Sequence, residues 1–280
     1  MADGGFQKIR MQRSQGEAAL SFACRDGHPR LGLLRQRGSA KIMLPHVAGP
    51  VPEAVFLNTS GGLTGGDRLG FDLNLGAGVS LCATTQTAER AYASGGTAAT
   101  VRICARLDSD AELAWLPQET ILFEHSMLQR ETTVHLTGSA RLLLAESVIL
   151  GRHAMGEAPL HAQLTDRRRI LRDGRPVWAE TTRIDSRVLA EAATPALLGD
   201  ARAFAVLALI APGAEAALPR LRAELCEPGV EAAASGWNGR CIARLRARDG
   251  WPLKRQLARA IRALRPGPLP RVWQMNGDIA

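Results

Sequence analysis

Aromatic residues are scarce: Phe, Trp and Tyr make up 4% of the 280 residues. That is too few for the exposed rings on which proteins stack bases or sugars. The core must instead rest on Leu, Val, Ile and Ala. Lysine is almost missing too. Only Lys8, Lys41 and Lys254 occur, so arginine supplies nearly all of the formal net charge of +8. The five cysteines, Cys24, Cys82, Cys104, Cys226 and Cys241, lie far apart, with no C-x-x-C and no Cys/His cluster along the chain. An odd, dispersed set in a chain this long argues against a disulfide framework and against structural zinc. It fits reduced, mostly buried thiols in the cytoplasm. No apolar core of signal type stands near the start, and the longest apolar run, residues 203–211, is too short to span a membrane. A soluble, cytoplasmic chain without a membrane partner is expected.

Catalytic signatures are absent as well. There is no G-x-S-x-G and no H-E-x-x-H, and His28, His46, His125, His135, His153 and His161 are scattered. A basic chain seeks acidic partners. The lack of a recognition helix or stacking aromatics speaks against nucleic acid.

What is present centres on residues 57–69, where Gly61, Gly62, Gly65 and Gly66 crowd together and Asp67-Arg68 close the stretch. Two Gly-Gly pairs between an apolar lead-in at 55–57 and an alternating lead-out at 69–75 predict a tight turn between two strands. A phosphate cradle is the competing reading, and it suits a phosphate- or nucleotide-binding enzyme. The glycines, however, end in a carboxylate rather than in Gly-Lys-Ser/Thr, and a strand pattern follows where a nucleotide fold needs a helix.

Further strands are predicted at 17–24, 79–85, 97–107, 112–116, 120–123, 128–136, 140–150, 204–210 and 241–247. In 97–107, Ala99, Val101, Ile103, Ala105 and Leu107 share one face. The nearly continuous apolar run 140–150 predicts a strand buried on both sides, or two short strands. Residues 164–184 predict a hairpin around Asp173-Gly174. The adjoining Arg167-Arg168-Arg169 reads as a solvated strand edge, and 30–44 is mixed. Helices are expected within 186–198, over 215–225, and over 252–264, where Leu253, Leu257, Ile261 and Leu264 recur at helical spacing. The pattern predicts a mainly β fold: one β-rich domain over 1–280 after a loose start at 1–15, with its helices in the last third.

Carboxylates in apolar surroundings are the candidates for chemistry, because a buried carboxylate must be paired, protonated or bound to a cation. Glu146 sits inside the apolar run, Glu180 follows Trp178, and Asp67 closes the glycine stretch. Pairing with arginine or with backbone amides is the structural alternative for each. Sites of hard oxygen donors hold transition metals only weakly.

The stretch 58–69 resembles the signature of the UreD (UreH) family of urease accessory proteins. Four more stretches agree in order: 84–92, 116–123 with Gln118-Glu119, 146–157 with Gly151-Arg152 and Gly156-Glu157, and 269–273. The resemblance covers roughly 15–275. It implies a stacked, β-helix-like arrangement of strands with about two helices, and no enzymatic activity. It implies a scaffold that binds the urease apoprotein and UreF, with the GTPase UreG joined through UreF, and helps to load nickel. It further implies a hetero-oligomer in which the chain can be dimeric. No cofactor is held tightly on this reading. Nickel passes in transit, with Asp67, Glu146 and, on a weaker match, Glu180 as lining residues. His153 falls where members of the family vary and receives no ligand role.

Overall fold

The computed structural model describes residues 12–47, 49–152, 155–265, 267–274 and 279. Most of the expected loose start lies outside these residues, as does His153. Ser14 is already hydrogen-bonded, and a strand begins at Gln15.

The chain opens with β1 (Gln15–Arg25), β2 (His28–Gly38), β3 (Ala40–Met43) and β4 (Glu53–Asn58). It continues through β5 (Arg68–Leu75), β6 (Ser80–Thr85), β7 (Glu89–Ala91), β8 (Ala99–Leu107) and β9 (Glu112–Trp115). Next come β10 (Thr120–Leu122), β11 (Met127–Leu136), β12 (Arg141–Leu150), and the hairpin of β13 (Gln163–Arg172) and β14 (Arg175–Ile184). The last third holds α1 (Ser186–Ala190), β15 (Ala203–Ile210), α2 (Leu218–Ala223), β16 (Val230–Trp237), β17 (Arg240–Ala247) and α3 (Gly250–Leu264).

Two sheets result. One has seven strands in the order β14-β13-β11-β8-β5-β1-β2. The main path of the other runs β16-β17-β15-β12-β9-β6-β4-β3. From β4 to β13 the chain passes back and forth between them, and most passes lie parallel to the last on the same sheet. These stacked coils give the β-solenoid-like body that the resemblance implied.

The alternation of β12 shows why the second sheet is buried on both faces. Leu142, Leu144 and Val148 enter the core between the sheets. Leu143 and Ala145 point the other way, toward Leu253, Leu257 and Ile261 of α3. Asp249 caps that helix by accepting the Trp251 amide at 2.7 Å. Each large apolar side chain buried under the helix contributes roughly 1.5–3 kcal/mol. Farther on, the Trp273 indole donates to the Leu116 carbonyl at 2.9 Å, pinning the end of the described chain to its middle.

Three expectations need correction. The mixed stretch 30–44 is strand: β2 is an edge strand exposed along both faces, so no apolar alternation marks it. The arginine run is not an edge, because β13 lies between β11 and β14. Side chains alternate across a strand, so Arg167 and Arg169 are exposed while Arg168 is buried between the sheets. The expected helix over 215–225 is a 3-10 turn, Ala214–Ala217, running into α2. No helix among the described residues is long and apolar enough to cross a membrane.

Candidate functional site

The glycine stretch forms the predicted turn, between β4 and β5. Gly61, Gly62 and Gly66 have positive φ. A Cβ on Gly62 would overlap the Tyr92 ring and stand 2.8 Å from the Arg90 carbonyl; one on Gly65 would overlap the Thr97 carbonyl. Several of the turn's amides are already used. Leu63 donates to Arg90 O at 2.8 Å and Gly66 to Ala98 O at 3.2 Å. Asp67 closes the turn with both oxygens: Oδ1 accepts the Ser14 amide at 2.7 Å and Oδ2 the Thr64 amide at 2.8 Å. These donors therefore do not form a phosphate cradle. Arg68, next in the chain, is exposed and pairs in register with Gln15 and Thr100.

Glu89 lies beside this turn. Asn58 donates to both of its oxygens, at 3.2 and 3.3 Å, and also to the Gly62 carbonyl. Burial outweighs these bonds and pushes the Glu89 carboxyl up to about 7.

Strand register builds the second locus. On β11 and β13, Arg130 pairs with Asp166 and Thr132 with Arg168; across the hairpin Arg168 faces Glu180. Opposite them, Glu146 occupies the inward positions of β12 together with Leu144 and Val148. The result is a charge network between the sheets. Glu146 Oε2 accepts Arg168 Nε at 2.6 Å, and Oε1 accepts Trp115 Nε1 at 3.3 Å and Thr132 Oγ1 at 3.2 Å. Arg130 forks onto Asp166, Nε to Oδ1 at 2.9 Å and Nη2 to Oδ2 at 2.6 Å, and donates to Thr120 Oγ1 at 3.1 Å. Arg168 reaches Asp166 as well. Burial alone would raise the Asp166 carboxyl, but the two guanidiniums outweigh it and hold it below its usual value. Glu180 pairs with Arg244 and lies 3.7 Å from Arg168.

Glu146, Arg168, Glu180 and Arg244 line a cavity of about 450 Å³ where β14 faces β15, β16 and β17. Phe204 and Leu198 supply apolar wall, and Glu231 and Arg246, paired at 2.7 Å, lie at its side. The structure thus brings Glu146 and Glu180 to one cavity. Asp67 belongs to the glycine turn and is not among the cavity's lining residues.

The remaining motif residues are anchors. Gln118 and Glu119 receive the Lys254 ammonium of α3 at 2.7 and 3.3 Å. Gly151, at φ 71, leaves no room for a Cβ, which would stand 2.5 Å from the Glu157 carbonyl. Glu157 Oε2 accepts Arg152 Nε at 2.7 Å, and Oε1 accepts the Glu124 amide at 3.2 Å. The Arg152 hydrogen bond, against some desolvation, holds the Glu157 carboxyl below its usual value. Gly156 has φ 70 and nothing near its would-be Cβ, so its role is to turn the backbone.

One constellation has no local signal in the sequence. Glu124, His125 and His161 offer ligand atoms that all lie within 4.8 Å of one another. Fold and sites together define a solenoid-like β protein whose motif residues shape turns, anchor its helix and surround a charged cavity. The chain belongs to the UreD urease accessory protein family, whose profile matches residues 14–274. It is 56% identical over 264 residues to the urease accessory protein UreD of Cereibacter sphaeroides, covering 94% of this chain and 96% of that protein. The UreD proteins of Paracoccus denitrificans and Agrobacterium fabrum are 51% and 43% identical, over 95% and 96% of this chain and 94% of each relative.

Proposed function

We propose that this protein serves urease maturation as a non-catalytic scaffold. It binds the urease apoprotein and UreF, with UreG joined through UreF, and helps to deliver nickel as cargo. The observation that carries this reading is the match over 14–274 to a family whose members are named urease accessory proteins.

The cavity chemistry supports the nickel part. Glu146 and Glu180 offer oxygen only, and each is already paired with arginine. A passing cation must compete with Arg168 and Arg244, so it is held weakly and released. On this reading Asp67 contributes by fixing the glycine turn.

The test is co-expression of the tagged chain with the urease subunits, UreF and UreG, followed by sizing of the eluate. Co-elution with urease and UreF is expected. Glu180→Gln is expected to leave the complex assembled and to slow urease activation. A wild-type chain that ignores both partners overturns the scaffold reading. Unchanged activation in Glu180→Gln removes its cavity from the nickel route.

A further inference from the structure

We propose that Glu124, His125 and His161 form a surface site for one divalent transition-metal ion of borderline softness, of the Ni2+, Zn2+ and Cu2+ class. The two histidines are far apart in sequence. The fold joins them by a simple rule: β11 and β13 are parallel neighbours with Met127 opposite Gln163. His125 and His161 each stand two residues before those positions, so the two loops enter the sheet side by side. The Gln163 amide ties them by donating to the Ser126 carbonyl at 2.7 Å.

The imidazoles stack at 5.0 Å between centroids, with 21° between their planes. Both address the same carboxylate oxygen. His161 Nδ1 lies 2.6 Å from Glu124 Oε1, and His125 Nε2 lies 3.7 Å from it. Ligand atoms on a tetrahedral ion with bonds of about 2.0–2.2 Å stand roughly 3.3–3.6 Å apart. The observed separations bracket that range, and side-chain exposures of 63% and 59% leave the two rings free to adjust. Two imidazoles with one carboxylate is a donor set for borderline ions, whereas Ca2+ and Mg2+ require oxygen shells.

The carboxylate is held in place for this task. Its second oxygen, Oε2, accepts the Leu160 amide at 2.6 Å and the His161 amide at 3.5 Å. The Glu124 amide is in turn tied to Glu157, within the family motif. The backbone supplies an independent sign. His125 has φ 59, at the third position of the turn closed by the Ser126 amide on Phe123 O. The other non-glycine residues with positive φ among those described are all Asp or Asn. A bulkier residue kept in this region costs on the order of 1 kcal/mol, and such positions gather at functional sites. Three protein ligands on two adjoining surface loops leave a coordination position open to water or to a ligand from another molecule.

Binding at this site is a property of the chain alone and goes beyond the scaffold reading; only a role in passing nickel on would rest on that reading. The test is equilibrium dialysis of the full chain against Ni2+ and Zn2+, with Mg2+ as the comparison ion. One Ni2+ or Zn2+ per chain is expected at the site, with no competition from Mg2+. His161→Ala and His125→Asn, the latter tolerant of positive φ, should each weaken that binding. Loss of an outer-shell partner alone costs 10–100-fold, so loss of a ligand is expected to cost at least about tenfold. Cu2+ bound to the wild type should show the magnetic-resonance splitting of two imidazole nitrogens, reduced to one in either variant. His135→Ala, on β11 but outside the cluster, should change nothing. No binding by the wild type, or unchanged affinity and spectra in folded His125→Asn and His161→Ala, overturns the site. Ion binding without any effect of these variants on urease activation leaves the site standing and separates it from nickel delivery. An assembled, active complex with no ion bound here removes the site and leaves the scaffold intact.

Discussion

Arg168 Nε stands 2.6 Å from Glu146 Oε2, with both side chains almost wholly excluded from water. The same guanidinium serves Asp166, so one cation supports two buried anions. Arg168→Met leaves Glu146 with only the more distant Arg130 as a charge partner, and Asp166 with Arg130 alone. Removing one member of such a network costs about 3–5 kcal/mol. Thr132→Val removes a single neutral donor to Glu146 and should cost about 1 kcal/mol. Urea denaturation of the two variants checks the order, and equal costs would refute a network centred on Arg168.

The glycine turn gives a graded series. Gly61→Ala meets nothing within 4 Å and suffers only from φ 78, a penalty of about 1–2 kcal/mol. Gly65→Ala drives a methyl group into the Thr97 carbonyl. It should be the more damaging change although its φ is not positive. Asp67→Ala frees the half-buried amides of Ser14 and Thr64 and should cost about 1–2 kcal/mol. Thermal melts rank the three variants; Gly61→Ala falling below Gly65→Ala would show that backbone angle, not close approach, governs the turn.

Glu89 predicts a pH dependence of definite sign. Its carboxyl is raised from 4.5 to about 7 in the folded protein. The neutral form therefore favours folding. Its contribution is full below pH 4.5 and is lost as pH rises through about 7. Glu89→Gln, a neutral mimic that still accepts from Asn58, should match the wild type near pH 5. By pH 8 the wild type should be the weaker of the two, by up to about 3 kcal/mol. A constant difference across that window, in denaturant titrations, refutes the assignment.

Lys254 links α3 to Gln118 and Glu119 while it is about one-fifth exposed. Lys254→Met keeps the apolar stem and removes the charge. The expected loss is about 1 kcal/mol or slightly more. Hydrogen exchange should quicken in α3 before it quickens in β8. Uniform quickening would mean that the helix has no separate tether there.

Period-two alternation made much of the body legible. β8 shows its inward set without ambiguity, and the apolar run of β12 carried the two-sided burial now seen against the first sheet and α3. Asp173-Gly174 marked its hairpin, and both residues take positive φ. β2 was illegible because neither face is buried, so nothing selects apolar residues at alternate positions. At Arg168, local charge masks the alternation of β13. The acids Glu146 and Glu180 could be singled out one by one, but their shared cavity depends on register between β13 and β14. The meeting of His125 with His161 depends on parallel pairing across a long connection, which leaves no trace in either loop.

The bond from the Trp273 indole to the Leu116 carbonyl closes a span of 157 residues. On a ribosome, Leu116 must wait for that span to be translated, on the order of 10–30 s at ordinary elongation rates. Until α3 has emerged, Leu143 and Ala145 of β12 lack the helix that packs on their strand in the finished fold. The nascent chain thus carries an uncovered greasy sheet face from the synthesis of β12 until that of α3. Its yield in a cell depends on what shields that sheet during those seconds as much as on the stability of the finished protein.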